Sequence, residues 1–357
     1  MNIGIVTQSL KGNYGGILQN FALQQVLLSL GHKVITFDYM QKPRFVDYLR
    51  CRVKRILRLA DSRLEYYPKR NHPQICDFID RNIFKTHMFW NRYRSSLISW
   101  YDIQALVVGS DQVWRPCYNH YLEDSFLQFA RGYKMPKIAY AASFGTSEWE
   151  YTTKQARVCS KLLANFTAVS VRESSAINLA SKLGAKAEQV LDPTLLLGKD
   201  GFDKILNSAT KTNDNDPYIG TYVLDKSEKK FDLITQLQSE LGINLLLSST
   251  QNEAGMGPIE WIQRIKDSRF FITDSFHGTV FCILYHVPFV ALCNSERGAD
   301  RFSSLLNTLN LSNRLISDSN ITEALNIVSE PIDWDFVDAK LDDLRVKSRE
   351  FLQRNLN

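Results

Sequence analysis

Residues 269–285 read Arg269-Phe270-Phe271-Ile272-Thr273-Asp274-Ser275-Phe276-His277-Gly278-Thr279, then Val280-Phe281-Cys282-Ile283-Leu284-Tyr285. The pattern is an apolar strand, a short polar turn and an apolar helix. The turn sets an imidazole, Ser275, Gly278 and Thr279 at a helix N-terminus, where backbone N–H groups without intrahelical partners and the helix dipole favour an anion. A histidine beside a bound phosphate or carboxylate has the chemistry of a proton-transfer group. A histidine in such a turn also serves as a cap or core residue. The segment alone therefore leaves two readings for His277, acid/base catalyst or structural side chain.

Other turns carry related chemistry. Lys11-Gly12-Asn13-Tyr14-Gly15-Gly16-Ile17-Leu18-Gln19-Asn20 resembles a phosphate loop. It lacks both the dinucleotide pattern G-x-G-x-x-G and the G-K-[ST] ending of a nucleoside triphosphate site. Gly12, Gly15 and Gly16 let backbone approach a ligand, and Asn13 and Gln19 can hydrogen-bond hydroxyls; a plain turn fits equally. In Gly109-Ser110-Asp111-Gln112-Val113-Trp114 an acid directly follows an apolar strand. Asp111 there either accepts a proton or holds a sugar hydroxyl, and Trp114 offers a ring for a sugar face. A capping Asp is the alternative. Arg172 ends another strand, and its planar fork suits a carboxylate or phosphate, or it forms a surface arrangement with Glu173. Arg301 opens a later helix within reach of the same region, or is a solvated surface charge.

These turns need strands and helices to hold them. Strand Ile3–Val6, a loop through Gly16, helix Ile17–Leu30 and strand Lys33–Asp38 form a β-loop-α-β unit, with Gly31 placed as a left-handed cap. Strands at Ala105–Val108, Lys137–Ala142 and Ala168–Val171 follow, each ending in polar sequence. Polar residues at the carboxyl ends of parallel strands mark the usual site of an open α/β sheet. After the polar tract 211–216 a second alternation begins. It has strands Tyr218–Val223, Asn244–Ser248, Phe270–Thr273 and Pro288–Leu292, with helices Lys229–Leu241, Pro258–Lys266 and Thr279–His286 between them. A terminal helix is expected over Asp335–Asn357. The division that follows is an N-terminal Rossmann-like lobe, 1–197, a C-terminal lobe, 198–333, and a long helix, 334–357.

Composition limits the function classes. At 357 residues, two domains are expected. The net charge of +5 is mild, and no basic run alternates with aromatic residues, so no nucleic-acid partner is expected. Six scattered cysteines make no C-x-x-C pair. No cluster has metal-ligand spacing, so neither a metal nor another cofactor is expected. A reducing cytoplasm fits these thiols, and Met1–Val6 reads as a strand start rather than an export signal. An insertion over about 41–70 interrupts the first lobe. Within it, residues 45–64 alternate arginine and lysine with apolar residues at helical spacing. Such a helix either lies on an anionic membrane, at the inner face, or packs on the sheet with its charges solvated.

In combination the motifs are recognisable. Gly12-Asn13-Tyr14-Gly15-Gly16, Gly109-Ser110-Asp111-Gln112-Val113-Trp114, Tyr140-Ala141-Ala142-Ser143-Phe144-Gly145, Ser170-Val171-Arg172-Glu173, Leu191-Asp192-Pro193-Thr194 and Thr273-Asp274-Ser275-Phe276-His277-Gly278 occur in that order. The series resembles the polysaccharide pyruvyl transferases over roughly residues 3–309. The resemblance implies a GT-B-like fold of two lobes. It also implies transfer of a pyruvyl group from phosphoenolpyruvate to a sugar or lipid-linked oligosaccharide, as a ketal, with release of phosphate. His277 would then be the essential acid/base and Asp111 a second proton acceptor or acceptor-sugar anchor. Arg172, with Ser275, Gly278, Thr279 and Arg301, would hold the donor. Asn13, Tyr14, Gly15, Gly16, Gln112, Trp114 and Ser143 would line the acceptor side. Some members of that family carry arginine two residues before the histidine, where this chain has Ser275; either the charge comes from elsewhere, with Arg301 the candidate, or the donor is posed differently. A nucleotide-sugar glycosyltransferase and a non-catalytic sugar-binding protein share the same architecture.

Overall fold

The computed structural model describes residues 1–40, 72–87, 89–90, 95–119, 121–206, 217–225, 227–248, 256–293, 298–316 and 321–356. The basic helix expected over 45–64 and the polar tract 211–216 lie outside the described residues. Among those described, no helix is long and apolar enough to cross a membrane.

Two parallel sheets form the body of the protein. The first runs Lys33–Thr36, Asn2–Val6, Ala105–Val108, Lys137–Ala142, Ala168–Val171, Ala187–Gln189. The second runs Asn244–Ser248, Tyr218–Tyr222, Phe270–Thr273, Phe289–Leu292, Leu315–Ile316. The strand sequences are nearly all apolar because helices cover both faces of such sheets. In each sheet the order reverses beside the first strand. Register sets Val6 opposite Val108 in one sheet and Tyr222 opposite Thr273 in the other. The loops leaving these strand pairs therefore start level with each other, at the two switch points where open α/β sheets bind ligands.

Two helices begin three residues before the expected positions. The first spans Tyr14–Ser29, and the one bearing the histidine spans Phe276–Leu284. The cause is the same in both. The Asn13 side chain accepts from the Gly16 N–H, and the Ser275 side chain accepts from the Gly278 N–H. Each cap lets the chain turn helical at once, glycines included. The Tyr14–Ser29 helix ends as expected: Gly31 has φ +85°, its N–H donates to Leu28 O, and the His32 N–H donates to Leu27 O.

The Tyr14–Ser29 helix is apolar on nearly every side and is buried between the sheets. One hydrophobic cluster runs from Ile3 and Ile17 of the first sheet's side to Trp261, Phe281 and Phe289 of the second. Tyr14 packs its ring 5.3 Å from Trp261 and 6.0 Å from Tyr222. The terminal helix Trp334–Leu356 returns to the first sheet. There Phe351 meets Tyr140, and Ser348 Oγ accepts from the Leu191 N–H.

Candidate active site

A cavity of about 350 Å³ opens where the two switch points face each other. The loop after Asn2–Val6 contributes Gln8, Ser9, Lys11 and Asn13, and the first turn of the Tyr14–Ser29 helix contributes Gly16. The first sheet adds Asp111, Gln112 and Tyr118, and the second adds Leu224, Asp274, Ser275, Phe276, His277 and Arg301. The wall thus joins one imidazole, two carboxylates and two cations. Burial lowers the Lys11 ammonium from its ordinary value, though Asp38 opposes the shift. Burial, then the charge of Arg172, push the Arg301 guanidinium down to about 10, so it remains a cation at neutral pH.

His277 occupies the first turn of its helix and is 5% exposed. Gly15 lies against the ring: a Cβ there would fall 2.0 Å from Nδ1 and 2.4 Å from Cγ. Nε2 is buried, has no hydrogen bond, and lies 3.7 Å from Asp192 Oδ2. Asp192 is itself closed from solvent. Its Oδ2 accepts from Arg172 Nη1 at 2.8 Å and Ser110 Oγ at 3.0 Å, and its Oδ1 accepts from Thr194 Oγ1 at 2.6 Å. Burial alone would raise the Asp192 carboxyl, but His277, Arg172 and Thr194 outweigh it and hold it well below the usual carboxylate range.

Asp111 faces His277 from the other lobe. Its φ is +79°, a left-handed conformation rare outside glycine, and its Oδ1 accepts from the Gln112 N–H at 2.8 Å. Strain of this kind persists where surrounding structure imposes it. Here the Asp111 carbonyl accepts from the Ser143 and Val113 N–H groups, which pins the turn. Asp274 is engaged differently: it accepts from the Leu224 and Asp225 N–H groups and from Lys230 Nζ at 2.7 Å. It is an anchor for the neighbouring loop.

A family model for polysaccharide pyruvyl transferases matches residues 13–296, which span both switch points and the histidine turn. The chain belongs to the polysaccharide pyruvyl transferase family. No curated protein matches the sequence. Several solved structures share its fold. The UDP-GlcNAc 2-epimerase of Neisseria meningitidis bound to UDP-GlcNAc superposes with TM-score 0.55 at 11% identity, covering 99% of this chain and 100% of that one. The S. aureus MnaA–UDP structure gives 0.57 at 11% identity, covering 95% and 90%. The spinosyn rhamnosyltransferase SpnG gives 0.52 at 10% identity, covering 99% and 98%. These are GT-B epimerases and glycosyltransferases, and at such identities the likeness is one of fold.

Within this transferase the expected site residues divide into two groups. His277, Asp111, Ser275, Arg301, Asn13, Gly16 and Gln112 line the cavity, and Gly15 touches it through the His277 ring. The remainder do not line it. Trp114 is fully buried, stacked on Phe126 with ring centroids 4.9 Å apart, and its indole N–H donates to Ser125 O. It is core, because the segment 122–144 folds over it. Tyr14 is also buried, with its hydroxyl donating to Met256 O at 2.7 Å across the lobes. Ser143 Oγ donates to Glu173 Oε1 and supports the strand end.

The helix start offers less to an anion than expected. The Gly278 N–H is taken by Ser275 Oγ, and the Thr279 N–H by Ser275 O. Gly278 is required for packing: a Cβ there would lie 2.5 Å from Thr273 Oγ1. Thr279 is wholly buried. Arg172 stands behind the cavity wall. Its guanidinium lies 4.6 Å from the Phe276 ring centroid and pairs with Asp192.

Lys11 on the cavity wall and Asp192 behind it carried no functional reading in the sequence. A lysine in a strand-to-helix loop and an aspartate in an Asp-Pro-Thr turn are their only local signals, and both are common in plain turns.

Proposed function

We propose that this transferase moves the pyruvyl group of phosphoenolpyruvate onto a sugar of a cell-surface glycan or its lipid-linked precursor, closing a ketal and releasing phosphate. The observation that supports this reading is the placement of His277. Its ring lies on the wall of the interlobe cavity, braced by Gly15, beside the cations Arg301 and Lys11 and across from Asp111.

The donor carries a carboxylate and a phosphate, and Arg301 and Lys11 supply positive charge from opposite lobes. A first sugar hydroxyl adds across the enol double bond. Its oxygen bonds to the carbon bearing phosphate, and a proton reaches the methylene carbon. A second hydroxyl then attacks the same carbon, the bond to phosphate breaks, and phosphate leaves with the electron pair. An imidazole takes the hydroxyl proton in one step and returns it to phosphate or solvent in another. His277 is the group placed for this, and Asp111 is placed to orient or deprotonate the acceptor. Phosphoenolpyruvate is a cytoplasmic metabolite, so the reaction belongs in that compartment.

The test is incubation of the purified protein with phosphoenolpyruvate and a panel of glycosides. Phosphate release together with a mass gain on one sugar supports the proposal. Stabilisation by UDP-sugars with no phosphate release from phosphoenolpyruvate would replace it with nucleotide-sugar chemistry.

A further inference from the structure

The Asp192 carboxylate joins two residues that the sequence treats separately. Its Oδ2 is shared between Arg172 Nη1 at 2.8 Å and His277 Nε2 at 3.7 Å. Resting on the pyruvyl-transfer reading, we propose that Asp192 is the positioning residue of His277. It accepts a hydrogen bond from Nε2–H, holds the imidazole in that form, and leaves Nδ1 as the nitrogen that exchanges protons with substrate.

Three observations carry this. Nε2 is buried and has no hydrogen bond, so it is not the nitrogen that meets substrate. Asp192 is absent from the wall of the 350 Å³ cavity that His277 lines and sits instead with Arg172 at a smaller one of about 90 Å³ behind it; its side chain is 0% exposed, and both oxygens accept hydrogen bonds. It therefore acts through the histidine and not on substrate. Finally, the ring cannot turn freely. Gly15 lies against it on one side, and the Phe276 ring meets it edge-on at 5.3 Å. A small rotation within those limits closes the gap to Asp192, as catalytic hydrogen bonds commonly tighten when substrate binds.

Arg172 takes a matching role. Its charge keeps Asp192 ionised inside the protein, so that Nε2–H meets a carboxylate and not a neutral acid. In the ring-closing step the hydroxyl oxygen bonds to the ketal carbon, phosphate departs with its electron pair, and the hydroxyl proton passes to Nδ1. The imidazolium so formed presents its Nε2–H to Asp192, which stabilises the charge without taking the proton.

Nitrogen-15 spectra of histidine-labelled protein at alkaline pH test the geometry directly, with His277 assigned by its loss in His277→Ala. The Nε2–H form in wild type, replaced by a mixture in Asp192→Ala, is expected. The Nδ1–H form in wild type overturns the proposal, and this readout needs no turning-over enzyme. Kinetics provide the second arm. Asp192→Asn and Arg172→Lys should lower kcat at least ~10-fold with KM for phosphoenolpyruvate changed less than about threefold. An unchanged kcat with a raised KM overturns it. Absence of phosphate release by wild type would reject the pyruvyl-transfer reading and leave the tautomer result standing.

Discussion

Gly15 and His277 meet across the two lobes: a methyl group on Gly15 would fall 2.0 Å from His277 Nδ1. One glycine at the start of a helix in the first lobe sets the position of an imidazole at the start of a helix in the second. The contact is closer than any real side chain permits, so the residue type is dictated by its neighbour and not by its own backbone.

Gly15→Ala should therefore displace the ring. Relieving the overlap costs about 1–3 kcal/mol, and activity should fall by at least ~10-fold because a misplaced acid/base loses most of its contribution. Thermal melts and steady-state rates measured side by side would show this. Full activity in a folded Gly15→Ala protein would mean that the ring position does not matter.

Removing the imidazole should be more severe for rate and milder for stability. His277→Ala is expected to lose at least ~10²-fold in kcat, the usual scale for acid–base catalysis, while keeping the wild-type circular dichroism spectrum. Turnover near the wild-type value would end the assignment.

Tyr14 supplies the opposite contrast. Its hydroxyl is buried and bonded to Met256 O, and burial, with Glu260 adding to it, pushes the phenol up to about 12. Tyr14→Phe leaves that carbonyl without its partner and should cost about 1–3 kcal/mol of stability in urea titrations. KM for the acceptor sugar should not move. A raised acceptor KM with unchanged stability would return Tyr14 to the binding wall.

Acid should weaken the fold through Asp192. Its carboxyl is held low in the folded chain: burial opposes ionisation, and His277, Arg172 and Thr194 override it. A carboxyl whose folded pKa lies below its unfolded value of about 3.9 contributes stability above that pH and loses it as pH falls toward the folded value. The stability gap between wild type and Asp192→Asn should be constant from pH 7 to about 5 and narrow below about 4. A gap that stays level down to pH 3 would count against this.

Much of the scaffold was legible in the sequence. The strands Ala105–Val108, Lys137–Ala142, Ala168–Val171 and Phe270–Thr273 have the ends that their apolar runs suggest. Ala187–Gln189 was not legible, being half exposed and built from residues with low strand preference. Helix starts were misread at Tyr14 and Phe276 because glycines after a capping side chain look like loop. The site was legible where one turn holds both chemistry and cavity, as with His277 and Asp111. It was not where partners are distant in sequence. Nothing local distinguishes Trp114 as core, since Phe126 and Phe144 bury it. Nor does the Asp192 turn announce that it reaches His277.

The greasy seam that Tyr14, Tyr222, Trp261 and Phe281 share belongs to neither half alone. Exchanging one half for that of a distant cousin would leave the other with a bare oily flank facing water. Recombination within this lineage therefore has to move both halves together.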